Sequence, residues 1–131
     1  MSLSVDEIND TIRYTNWTAY ARTGRLEKSS QAAAEWEELV QQLASEDVTV
    51  RGAYDLTGFR GDADLLLWIH AETAEKVQDA LHRFDHTEVG RHTRQTWSGM
   101  ALHRPAEFNR RHVPGFMMGK EPGEWLCFYP F

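Results

Sequence analysis

The residues of this sequence best suited to chemistry stand in its last third. Arg104, Arg110, Arg111 and His112 make its nearest approach to a basic patch. Guanidinium groups in such a cluster can meet the carboxylates of a small ligand through charge-assisted hydrogen bonds. Asn109 adds an amide, and His112 an imidazole, a side chain whose ordinary pKa of about 6.5 lies near neutrality. Tyr129 supplies a phenol within the apolar run Leu126-Cys127-Phe128-Tyr129-Pro130-Phe131. Each group has a plainer use: Tyr129 as a packing residue with one polar end, the arginines and His112 as parts of a solvated loop.

Other chemistry-bearing residues form no further constellation. His82 and His86, four apart, share a helical face, but no second cluster or carboxylate signature turns them into a zinc site. With His70, His92 and His103 they read as surface histidines, and no metal ligand set is assigned. Trp17, Trp36, Trp68, Trp97 and Trp125 read as packing residues. Arg60, Asp62 and Asp64 read as turn chemistry with room for a subunit contact. No nucleophile elbow, phosphate-binding loop or pair of catalytic carboxylates is present.

The elements that must position these residues follow from periodicity. Ser4 caps a short helix to about Asn9, with Asp6 and Glu7 in its first turn. Alternation of polar and aromatic residues marks a strand over 13–22. Ala32, Trp36, Leu39, Val40 and Leu43 fall at helical spacing between Leu26 and Ala44, with Ser29 and Ser30 available as caps. Strands at 48–56 and 65–69 flank a turn-rich segment and form a hairpin. Thr73 opens a second helix carrying Ala74, Val77 and Leu81, for which Gly90 suits a C-cap, and 91–103 reads as a fourth strand. The order β-α-β-β-α-β is that of an α+β, ferredoxin-like unit, with both helices on one face of an antiparallel sheet. Residues 1–103 make this unit. Residues 104–125 then form a long loop, a length associated with function, and Leu126–Phe131 reads as the start of another strand.

Composition bounds the rest. With 131 residues, 41% hydrophobic and 26% charged, the chain has the size and balance of one globular domain. Its net charge of -6 works against a nucleic-acid partner. The single cysteine, Cys127, reads as a small buried hydrophobe in a reducing cytoplasm. No stretch approaches the roughly 18 apolar residues of a membrane span.

The run Leu102-His103-Arg104-Pro105-Ala106-Glu107-Phe108-Asn109, continued through His112-Val113-Pro114-Gly115-Phe116, is similar to the LHRPAEFN...H(V/I/L)P.F stretch of actinobacterial coproheme decarboxylases, within the chlorite dismutase-like superfamily. Val50-Arg51-Gly52-Ala53-Tyr54-Asp55, Asp62-Ala63-Asp64-Leu65 and Tyr129-Pro130-Phe131 resemble that family's VRG.YD, ADAD-like and YPF motifs. Together these span nearly the whole chain.

The resemblance implies a subunit of two ferredoxin-like halves, of the dimeric α+β barrel type, assembled as a homo-oligomer, usually a ring of five. This chain would be the N-terminal half, with residues 104–131 leading into a heme-binding half whose proximal histidine lies beyond Phe131. The implied reaction is the hydrogen peroxide-dependent conversion of two propionates of iron coproporphyrin III (coproheme) to vinyls, giving heme b. Tyr129 would carry the radical, His112 would be the distal base and Asn109 would bind a propionate. Arg110 and Arg111 fall at variable positions of the motif. The isolated chain is expected to be inactive, with the apolar sheet face that the other half covers left exposed. Two alternatives stay open: chlorite dismutase-like or peroxidase-like heme chemistry on the same scaffold, and a non-catalytic ferredoxin-like assembly module.

Overall fold

A computed structural model describes residues 3–25 and 27–130. Leu26, the lower bound of the span expected to hold the long helix, and Phe131, the last of the YPF motif, lie outside the described residues. The elements are α1 (Val5–Asp10), β1 (Tyr14–Arg22), α2 (Ser30–Ser45), β2 (Val48–Asp55), β3 (Leu65–Ala71), α3 (Ala74–Asp85), α4 (Glu88–Arg91) and β4 (Thr93–Leu102). The strands form one antiparallel sheet in the order β2-β3-β1-β4. This is the ferredoxin-like arrangement that the alternation of strand and helix patterns predicts.

Local chemistry sets the helix starts. Ser4 and Glu7 form a reciprocal capping box on α1. Ser29 accepts from the Ala32 N–H, and Thr73 from that of Lys76, which fixes the starts of α2 and α3. Both helices press their apolar stripes onto one sheet face, where Leu39, Leu43, Val77, Ala80 and Phe84 meet Tyr20, Val48, Leu67 and Ile69. Burying each large side chain here stabilises the fold by roughly 1.5–3 kcal/mol. The hairpin is tied to β1 by Asp64, which accepts from the Arg22 N–H at 2.8 Å.

Four expectations are corrected. Gly90 is no cap of α3: that helix ends at Asp85 with His86 as its C-cap, and Gly90 is buried inside α4, where the Phe84 carbonyl leaves no room for a Cβ. Cys127 is exposed rather than buried. Residues 126–130 form no strand, since they join no ladder among the described residues and pack by side chains alone. The second sheet face, finally, is not left bare.

That second face carries Trp17 and Ala19 of β1, Leu66, Trp68 and His70 of β3, and Trp97 of β4. The segment after Leu102 folds back across it. Phe116 lies against Trp68 and His70, at 5.8 and 4.8 Å between ring centroids. Phe128 stacks on Trp17 at 5.0 Å and meets the edge of Trp97 at 5.5 Å. Trp125 meets Phe59 of the β2–β3 turn. The apolar face thus has an intramolecular cover in place of the expected exposure.

Candidate functional site

The turn at 109–112 is a built structure. The Asn109 carboxamide oxygen accepts from the Arg111 N–H at 3.1 Å, and the Asn109 carbonyl accepts from the His112 N–H at 2.9 Å. Such an Asx turn uses Asn109 on its own backbone. From α1, the buried Asn9 donates its Nδ2 to the Arg110 carbonyl at 2.8 Å. Asn109, Arg110, Arg111 and His112 are all exposed. The structure therefore brings Asn109 and His112 together on one anchored turn, with the His112 ring available to solvent.

Tyr129 is positioned by a different part of the molecule. Phe128 is pinned on Trp17 in mid-sheet, and Tyr129 follows it with 70% of its surface exposed. Of five open surface clefts among the described residues, none is lined by Asn109, His112 or Tyr129. The residues expected around a porphyrin thus present themselves on an open surface of this chain and do not enclose a pocket for the ring.

One polar cluster was missed. His70, read as a surface residue, is only 6% exposed. Its Nδ1 accepts from Arg13 Nε at 2.9 Å, so the neutral ring carries its proton on Nε2. Arg13 is held in turn by the Asp47 carboxylate, at 2.7 Å from its Nη1. Asp47 reaches it from a left-handed conformation, φ 60°, at the end of α2, which a short polar side chain tolerates. Burial, with Arg13 and then Arg51 adding positive charge nearby, lowers the His70 pKa to about 4. The signal was in the sequence: alternation along β3 puts His70 on the face of Leu66 and Trp68, which the helices do not cover. What alternation could not show was that Phe116, distant in sequence, closes over that face.

A sequence profile of the family described as chlorite dismutase matches residues 29–131, well over half of the chain. The chain belongs to the chlorite dismutase family. Among curated members, the coproheme decarboxylase of Mycolicibacterium smegmatis (strain ATCC 700084 / mc(2)155) is 42% identical over 132 residues. That match covers 98% of this chain and 57% of the relative's length. Among solved structures of the family, chlorite dismutase from Candidatus Nitrospira defluvii in complex with imidazole superimposes with a TM-score of 0.66 at 26% identity. The superposition covers 73% of this chain and 42% of that one. A mutant of the same enzyme gives a TM-score of 0.63 at 27% identity, covering 70% and 40%. The chain thus spans about half the length of the family members it matches.

Proposed function

We propose that this chain takes part in the peroxide-dependent decarboxylation of coproheme, the substrate, to heme b. The observation that carries this reading is the 42% identity, over 98% of the chain, to a protein named coproheme decarboxylase. In this reading Tyr129, oxidised to a phenoxyl radical at the expense of peroxide, takes a hydrogen atom from a substrate propionate and returns to the phenol. Each propionate converted to a vinyl releases one carbon dioxide and consumes one peroxide, which ends as two waters. His112 is the base that takes the proton of the incoming peroxide. Asn109 holds a propionate in place, and the anchored turn fixes its distance from His112. Because these groups lie on an open surface here, a second surface has to complete the porphyrin site. The reading accordingly includes a heme-binding part joined to this one, a homo-oligomeric assembly of up to five subunits and a cytoplasmic setting.

A second reading, chlorite- or peroxide-consuming heme chemistry, is favoured by the superposition on chlorite dismutases. The higher identity to the decarboxylase, together with the His112 and Tyr129 pair, ranks it below the first.

The test titrates iron coproheme into this chain, alone and fused to the remaining part of the Mycolicibacterium smegmatis relative. Peroxide is then added and the porphyrins are analysed by mass. The expected product of the fusion is heme b, lost on Tyr129→Phe and slowed by His112→Ala by about 100-fold or more, the usual contribution of a general base. Coproheme binding without vinyl products would favour the second reading. No binding by either protein would leave an assembly module.

A further inference from the structure

Outside the residues just discussed, the molecule has a cleft of about 410 Å³ between the end of the sheet and the returning loop, lined by Arg51, His70, Phe116, Lys120, Glu121 and Pro122 among others. Its chemistry is lopsided. Arg51 is a half-buried guanidinium held over the Trp68 ring, 5.6 Å from the centroid. Its Nε is buried without a hydrogen-bond acceptor among the described residues, and no described carboxylate forms an ion pair with Arg51. A buried, unsatisfied charged donor is costly unless an acceptor comes from outside. His70, on the same wall, spends its Nδ1 on Arg13 and so has an N–H as its remaining polar atom. Lys120 adds a second cation at the rim, against one rim carboxylate, Glu121.

We propose that this cleft is a binding site for a small organic carboxylate, with Arg51 as its principal anchor and Lys120 as a secondary one. An acid fits better than a bare inorganic ion, because Phe116 and Pro122 offer apolar wall for the body of the ligand. The carboxylate takes the guanidinium donors. The site is separate from the turn of Asn109 and His112.

The test follows the Trp68 indole and His70 ring resonances of the full chain while benzoate, acetate or inorganic phosphate is titrated at constant ionic strength. Benzoate is expected to shift both sets and to bind more tightly than acetate or phosphate. Arg51→Gln should weaken it by about tenfold or more, the usual effect of losing a charged hydrogen bond. Lys120→Gln should weaken it less, and Glu121→Gln should tighten it. If Arg51→Gln fails to fold, Arg51→Lys, which keeps the charge but loses the Nε donor and the fork, is expected to weaken benzoate too. Benzoate affinity unchanged in whichever Arg51 variant folds, or phosphate binding as tightly as benzoate, would overturn the proposal.

Discussion

His70 shows how one residue links burial to solution behaviour. Its folded pKa of about 4 lies below the ordinary 6.5, so the unfolded chain binds the extra proton first as pH falls. The stability it contributes is complete above pH 6.5 and is lost as pH drops through the window down to about 4. The loss is on the order of 3 kcal/mol, the free energy of such a shift. Urea unfolding at stepped pH should show stability falling across this window, and His70→Phe should flatten the slope. The identity of His70 was legible and its environment was not, because an imidazole on an alternating strand faces water or protein according to what covers the strand. Tyr129, Asn109 and His112 were singled out by the resemblance of their motifs to a family's, and each lies in the segment that follows the four strands.

At the level of elements, Gly90 explains the tight passage from α3 to α4. A Cβ placed there would stand 2.0 Å from the Phe84 carbonyl oxygen and 2.7 Å from the Asp85 Cα, both backbone atoms that cannot rotate away. Gly90→Ala should therefore lower stability by about 3 kcal/mol, the upper end for overpacking, measured as a reduced denaturant midpoint with unchanged slope. The glycine was visible in the sequence as a helix punctuator, but a buried close approach and a C-cap look alike there. The four strands and both long helices were readable because their periods of 2 and 3.6 are set by backbone geometry alone. The last apolar run misled for a related reason. Leu126 and Phe128 have strand-like composition, yet a strand needs a neighbour to complete its hydrogen bonds.

Across the whole molecule, the returning segment makes the two faces of the sheet unequal. The helix-covered face is held by many aliphatic contacts, the other by a few aromatic rings. A version ending at residue 103 should keep its helices in far-ultraviolet circular dichroism. It should also uncover Trp17, Trp68 and Leu66, bind a hydrophobic dye and associate with rising concentration, since an apolar patch of this size is seldom left in water. Sedimentation of the two lengths side by side checks this; a short version that associates no more than the full one would mean that the aromatic contacts are dispensable.

The hydrogen bond from Asn9 to Arg110 joins residues 101 apart in sequence. Contacts of such separation form only after nearer ones have shortened the path, because loop closure is opposed by chain entropy. The sheet must already have placed β4 beside β1 before α1 can reach the turn. The turn bearing Asn109 and His112 is thus a late arrival in the history of each molecule, and its grip on α1 is set by how far the sheet between them has already formed.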